Sequence, residues 1–497
     1  MDPRTPVIVG AGQVTQRPGS DGERVEPVAL AVRALRSAAQ DSGAGDALLR
    51  RAESVRCVAI TSWPYRDAAA LVASDLGIAP RETVQTNAFG GDGPQRLINE
   101  TARAIAGGEL DIALVCGAES VATLIAAQRA GRELEWRRQD DGVAPTRVSG
   151  RDRYPVNQAE ADVGLPAPLD MYALIESAVR AQSGADPDSH LQKIAGLWSR
   201  FSRVAAENEF AWIRRGYTAA EIATPTAANR AVSSPYTKLL TANIQVDQAA
   251  GLIICSAGAA DGAGVPRDRW VFLHAGAQAQ DEWHVTERAE LAASPAVRAI
   301  GAAALGHAGL GIDEVAHVDL YSCFPSAVQI GAEALGLALD DPARPLTLTG
   351  GLTFAGGPGN NYAMHSVAAL VGHLRDDSGA YGLTTALGWY ATKHAVGVYS
   401  AGPPVRPFAS LEPEPEPRPA RRARTDFTGM ARLEAFTVSR NRDGTPAGAA
   451  VSALTPEGDR ALVRVEAATT IAGLLERDHI GTAVRIAGPG SLELDGR

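Results

Sequence analysis

Apolar runs alternate with segments of helical spacing along this chain, and the alternation occurs twice. Val7-Ile-Val-Gly is a short apolar strand, and residues 28–39 have helical periodicity, opened by Pro27 and stopped at Asp41-Ser-Gly43. Cys57-Val-Ala-Ile predicts a buried strand. Between residues 95 and 106, Leu97, Ile98, Ala102 and Ile105 share one helix face, with Arg96, Glu100 and Arg103 outside it; Asp111-Ile-Ala-Leu-Val-Cys predicts another buried strand. About 265 residues later the pattern returns. Ala31-Val-Arg-Ala-Leu reads like Ala296-Val-Arg-Ala-Ile, Val58-Ala-Ile-Thr-Ser like Val318-Asp-Leu-Tyr-Ser, and Phe89-Gly-Gly-Asp-Gly like Ala355-Gly-Gly-Pro-Gly. The second copy continues with a helix near 363–374 and strands at 382–387 and 395–399. Strands that are apolar throughout, alternating with helices, predict α/β layers with buried sheets. A repeat this long predicts two similar units facing across a pseudo-twofold axis, with one site between matching loops.

The pattern also marks boundaries. Residues 1–260 are read as the first half, with an inserted lid or loop domain at about 120–240, helical from about residue 194. Residues 261–402 are the second half. Residues 403–425, with Leu411-Glu-Pro-Glu-Pro-Glu-Pro-Arg-Pro, form a Pro- and Arg-rich linker expected to be extended and solvated, its Arg418, Arg421, Arg422 and Arg424 included. Residues 426–497 hold short alternating runs separated by turns such as Asp443-Gly444, which predicts a small all-β barrel-like module.

Composition narrows the classes. The chain has 497 residues and a net charge of −10, which argues against nonspecific nucleic-acid binding. No apolar run approaches the roughly 20 residues needed to span a bilayer. The N-terminus has no basic stretch followed by an apolar one, so no secretion signal is expected. The four cysteines are widely spaced with no CxxC, which points away from a zinc site or a disulfide framework and towards a cytoplasmic protein. Gly10-Ala-Gly12 lacks the third glycine of a dinucleotide fingerprint.

The duplicated core resembles the thiolase superfamily, and more narrowly the sterol-carrier-type thiolases and their thiolase-like type 1 relatives. Val7-Ile-Val-Gly-Ala-Gly, Gly90-Gly-Asp-Gly-Pro-Gln, Gly107-Gly-Glu-Leu-Asp-Ile-Ala-Leu-Val-Cys-Gly-Ala-Glu-Ser, Tyr321-Ser-Cys-Phe and Gly350-Gly-Leu-Thr-Phe-Ala-Gly-Gly-Pro carry the likeness across roughly residues 5 to 400. It implies a layered α-β-α-β-α fold of two mixed sheets. The C-terminal module resembles the additional domain of the thiolase-like type 1 proteins and implies an OB-like barrel.

The family's chemistry forms or breaks a carbon–carbon bond beside a thioester, using a cysteine nucleophile, a histidine, a second acid/base and oxyanion donors. By resemblance the nucleophile position falls on Gly90, and Asp92 is the one functional side chain of that loop, expected to cap the following helix. The histidine of the family's Gly-His-Pro falls on Gly357 or Gly356. Asn360 and Asn361 follow as candidate ligand donors or helix caps, and His365 is expected in the core or at the surface. The second cysteine falls on Ala386, with Trp389 and Tyr390 walling the pocket or packing in the core. The family's Asn-Glu-Ala-Phe or His-Asp-Cys-Phe loop falls on Tyr321 to Phe324, which leaves Tyr321 and Cys323 as acid/base candidates. Two weaker segments, Asn243-Ile-Gln-Val-Asp-Gln-Ala and Ser233-Ser-Pro-Tyr-Thr-Lys, are expected to be structural.

The resemblance therefore implies an acyl-CoA or thioester binder of the acetyl-CoA acyltransferase superfamily, with cysteine-dependent thiolase activity absent or very weak. One alternative is noncovalent retro-aldol cleavage of a β-hydroxyacyl-CoA; another is a silent scaffold whose β-module recruits a protein partner. CoA or acyl-CoA is the expected ligand, with no covalent cofactor and no metal. Monomer and homodimer both remain open.

Overall fold

The structure is a computed structural model that describes residues 1–17 and 24–494; the last three residues of the expected β-module lie outside it. The first half runs β1 (Pro6–Thr15), α1 (Pro27–Asp41), β2 (Ser54–Cys57), α2 (Ala68–Leu76), β3 (Glu82–Thr86), α3 (Gly93–Ala106) and β4 (Ile112–Ser120). An insert carries β5 (Arg147–Ser149), α4 (Pro168–Ser183), α5 (Pro187–Glu207), β6 (Ala231–Ser233) and β7 (Tyr236–Thr237), and β8 (Asp247–Ser256) returns to the core. The second half runs β9 (Val271–Gln280), α6 (Pro295–Ala308), β10 (Val315–Asp319), α7 (Pro325–Leu335), α8 (Tyr362–Asp376), β11 (Tyr381–Gly388) and β12 (Lys393–Ser400).

The duplication is visible in the strand order. β1-β8-β4-β2 is repeated by β9-β12-β11-β10, with the same senses: antiparallel, antiparallel, parallel. Each half is thus a mixed sheet. The two sheets join at a short seam where Val7 pairs with Phe272 and Ile8 with Val271. Helices α3 and α8 form the central layer: Leu97, Ile98 and Ile105 pack with Met364, Val367 and Leu370 and with residues of both sheets. Helices α1 and α2 cover the first half's outer face. On the second half, α6 and α7 share their core with α4 and α5 of the insert.

Two expectations change. The C-terminal strands β14 (Ala423–Arg424), β15 (Gly429–Arg440), β16 (Pro446–Leu454), β17 (Arg460–Val465), β18 (Ala483–Gly488) and β19 (Ser491–Leu494) follow the order β14-β17-β16-β15-β18-β19. Among the described residues no ladder closes β14 onto β19, so the expected barrel is an open sheet, with helix α9 (Ala468–Glu476) packed against it through Ile471 and Leu474. Ser439 of β15 pairs with Ser233 of β6, so the module's sheet continues into the insert. The linker, in turn, is extended but pinned. Its strand β13 (Ala409–Leu411) adds in parallel to β9, Arg418 pairs with Glu290 at 3.0 Å, and the Arg421 N–H donates to Glu287 O at 2.8 Å. Among the described residues no helix is long and apolar enough to cross a membrane.

Candidate functional site

Loop 87–93 leads into α3, and three distant segments close on it. The Gly90 N–H donates to Asn360 Oδ1 at 2.9 Å, while Asn360 Nδ2 donates to Ala59 O at 3.1 Å and Ala88 O at 2.9 Å. Asn360, just before α8, therefore spends its amide on backbone groups of the first half. From the other side Lys393, the first residue of β12, donates to Phe89 O at 2.9 Å. Its ammonium also stands 3.1 Å from Asp92 Oδ1 as an ion pair, without the alignment of a hydrogen bond. The second Asp92 oxygen pairs with Arg96, one turn along α3. The side chains of Lys393 and Asp92 are 4% and 5% exposed, so the pair is desolvated. This corrects the expected capping role: Asp92 occupies the N-cap place but makes no side-chain cap hydrogen bond.

Two glycines of this loop, Gly90 and Gly91, are dictated by their surroundings. Gly90 has φ 148°, and a side chain built on it would run into Asp92 Oδ1 and Lys393 Nζ. A side chain on Gly91 would meet Leu387 O at 2.6 Å and, closer still, the Tyr321 hydroxyl. The place where the resemblance puts a nucleophile is thus occupied by a lysine–aspartate pair, with a tyrosine hydroxyl beside it.

Tyr321 follows β10, and its N–H donates to Thr385 Oγ1 at 2.9 Å. Its ring meets Tyr362 edge-on, with centroids 5.4 Å apart. Among the described residues its hydroxyl has no hydrogen-bond partner, in contrast to Tyr362, whose hydroxyl donates to Asp319 Oδ1 at 3.2 Å. Burial first, then Cys323, Tyr362 and Asp92, push Tyr321 well above the ordinary phenol range, so it is a neutral hydrogen-bond donor at neutral pH. Burial likewise pushes the Cys323 thiol up to about 12, which keeps it protonated. Cys323 lies beside Tyr172 of α4 and close to Tyr321.

The β11–β12 turn forms the third wall. Trp389 and Ala391 hold φ 57° and 52°, a conformation unusual for residues other than glycine. Tyr172 fixes the turn: its hydroxyl donates to Trp389 O at 2.9 Å and accepts from the Ala391 N–H at 2.9 Å. The Trp389 ring lies 5.4 Å from Phe89, and its Nε1 is buried without a partner. Tyr390 turns to the insert, donating to Pro166 O at 2.5 Å. Gly356 packs on Gln248, and the Gly357 N–H donates to Asn243 O at 2.9 Å. Asn361 Nδ2 donates to Gly117 O at 2.7 Å, and His365 is buried against Gln13. Gly90, Asp92, Asn360, Tyr321 and Trp389 are brought together, with Cys323 close to Tyr321; Gly356, Gly357, Asn361 and Tyr390 face other neighbours.

Residues 411–491 match the family model of the thiolase-like protein type 1 additional C-terminal domain. The whole structure is similar to that of a monomeric SCP2-thiolase-like protein type 1 from Mycobacterium smegmatis, with 32% identity, a TM-score of 0.82 and 99% of each chain covered. The chain belongs to the thiolase-like protein type 1 family. Two more distant structures share the fold over 80% of this chain and 98% of their own: the Ltp2–ChsH2(DUF35) aldolase, at 19% identity and TM-score 0.57, and the dimeric peroxisomal thiolase of Saccharomyces cerevisiae, at 16% and 0.56. Comparison with curated protein sequences returns no match.

In this thiolase-like protein the sequence reading missed Lys393, Arg96 and Tyr172. Lys393 left one signal, a charge just ahead of the small, apolar run Ala395-Val-Gly-Val. Arg96 and Tyr172 left none, because helical spacing reads them as an outward charge and a core aromatic. Among the described residues no group of His, Cys, Asp or Glu side chains could hold a metal ion.

Proposed function

We propose that this thiolase-like protein binds an acyl-CoA or related thioester between its halves, at loop 87–93, and that this loop supplies no covalent catalysis. The observation that carries the reading is the Lys393–Asp92 pair standing where a nucleophilic side chain on residue 90 would have to be. A neutral Tyr321 hydroxyl and the Lys393 ammonium are donors suited to a thioester or enolate oxygen. Calorimetric titration with CoA and acetyl-CoA tests the binding, and thiolysis of acetoacetyl-CoA tests the chemistry. Saturable binding with no thiolysis is expected; turnover at enzyme-like rates, or no binding, overturns the reading.

A second reading, retro-aldol cleavage of a β-hydroxyacyl thioester, is favoured by the unpartnered Tyr321 hydroxyl. The breaking bond leaves its electrons on the thioester enolate; the phenol gives that carbon a proton and takes one back from the substrate hydroxyl. Turnover of a β-hydroxyacyl-CoA that is lost in Tyr321→Phe supports it. Turnover unchanged in that variant, or none at all, sinks it.

A further inference from the structure

The basic residues of this chain are almost all arginine. Of 47 Lys and Arg residues, three are lysines: Lys193, Lys238 and Lys393. Lys193 and Lys238 are exposed, where either basic side chain serves. Lys393 is the buried one, and it stands against loop 87–93 with its side chain 4% exposed. Where this chain needs a buried cation for charge alone it uses arginine: Arg56, Arg96 and Arg460 are all buried in ion pairs. A lysine does what an arginine cannot, because it gives up its proton inside a protein and becomes a nucleophile.

The surroundings of the Lys393 ammonium suit that step. One of its three N–H groups donates to Phe89 O at 2.9 Å. Asp92 Oδ1, 3.1 Å away, is the base within reach, and it has no hydrogen bond of its own. No other group among the described residues bonds the ammonium. Gly90 and Gly388 keep the space beside the pair clear, since a side chain on either would meet both Lys393 and Asp92. Phe89, which holds the amine, is itself 51% exposed, so the pair lies directly beneath the surface of the loop. Loop 87–93 supplies no nucleophile, but the strand facing it does.

We propose that Lys393 captures a ketone carbonyl as an imine, the ketone being the keto group of a β-ketoacyl thioester. This rests on thioester binding at loop 87–93. A plain thioester would acylate the amine and leave it blocked, whereas a keto group gives a reversible adduct. Asp92 takes a proton from the ammonium. The nitrogen lone pair adds to the keto carbon, and the carbonyl oxygen takes that proton from Asp92. A second proton follows the same route from nitrogen through Asp92 to oxygen. The C–O bond breaks, the oxygen leaves as water, and the iminium keeps one N–H and its positive charge beside the Asp92 carboxylate.

The test is reductive trapping of the full chain with sodium cyanoborohydride, once with acetone and once with acetoacetyl-CoA, followed by peptide mapping at the three lysines. Acetone needs no thioester site, so it reads the amine alone. Most of its label is expected on Lys393 and little on Lys193 and Lys238, the reverse of what exposure alone would give. Acetoacetyl-CoA is expected to label Lys393 only when the reductant is present, and excess CoA to suppress that label. Lys393→Arg keeps a charge beside Asp92 and loses both labels. Absence of label on Lys393, or an acetoacetyl adduct that forms without reductant, overturns the proposal. Calorimetric titration with CoA separates this from the reading beneath it. CoA bound with Lys393 unlabelled sinks the imine alone; acetone label without CoA binding sinks the thioester as its substrate. Should Lys393→Arg fail to fold, the distribution of label over the three lysines of the unaltered chain still decides.

Discussion

At the scale of single residues, Gly90 decides what chemistry the first-half loop is able to do. Restoring a cysteine there does not restore a nucleophile, because its Cβ falls on Asp92 and Lys393 and its φ of 148° disfavours any side chain. Gly90→Cys is expected to show no acetoacetyl-CoA thiolysis above the parent chain and to lose about 1–3 kcal/mol of stability, read from denaturant unfolding. Thiolysis in that variant would refute the steric argument. His365 makes a second residue-scale prediction. Burial lowers its pKa to about 3 from an ordinary 6.5, and its Nε2 has no partner. Below the ordinary value the unfolded chain takes up a proton that the folded chain refuses. The associated stability is full above 6.5 and is lost as pH falls towards 3, at up to about 1.4 kcal/mol per pH unit. His365→Gln should flatten the pH dependence of urea unfolding by about that slope between about pH 6 and pH 4. An unchanged slope would mean that the ring is already protonated in the folded state. Some dependence should persist, since burial also lowers His274 to about 4.

At the scale of elements, the far edge of the first-half sheet is instructive. β5 adds in parallel to β3, pairing Val84 with Arg147 and Gln85 with Val148, so an insert strand of the same chain covers the β3 edge. Glu100 holds β5 down through Arg147 at 2.9 Å and Ser149 Oγ at 2.6 Å. An uncovered strand edge is a template for another chain. Val148→Pro, which weakens this ladder, is therefore expected to sediment as larger species than the parent chain; a variant that sediments like the parent at every concentration would show that β5 guards nothing. The same sheet shows what was readable from sequence. The paired halves were legible because apolar strands and Gly-rich turns are local patterns that recur in order. β2 was read three residues late: it is Ser54–Cys57, not Cys57 onward. Arg56 hid it, since a charge reads as surface, yet this guanidinium is buried and bonded to Ser54 Oγ at 3.0 Å and Glu82 at 2.8 Å. Lys393 was missed for the same reason. The resemblance located loop 87–93, but its partner lies some 300 residues away, where no local periodicity connects them.

At the scale of the whole molecule, the C-terminal module read as an appendage, and the structure makes it part of the body. Arg460, fully buried on β17, binds Glu434 at 2.6 and 2.7 Å and donates to the second half's Thr286 O at 2.7 Å and Arg288 O at 2.8 Å. Arg180 of α4 pairs with Asp478 at 2.5 and 2.7 Å, and the Phe436 N–H donates to Ser177 Oγ at 3.0 Å. The connection continues inward. The Arg288 guanidinium donates to Tyr390 O and Thr392 Oγ1, each at 3.0 Å, in the turn that precedes Lys393. Docking of the module and placement of that turn are therefore linked through one residue. Arg460→Met leaves two core carbonyls and Glu434 without their donor, a loss of about 3–5 kcal/mol for a broken buried pair. The expected result is a separate, earlier transition for the module in calorimetry and faster tryptic cleavage after Arg421 and Arg422, which the docked linker protects. CoA affinity should fall as well if the turn is placed through Arg288. An Arg460→Met chain with one unshifted transition and unchanged cleavage would show that the module is held by its sheet and linker alone; earlier undocking with unchanged CoA affinity would cut only the link to the site.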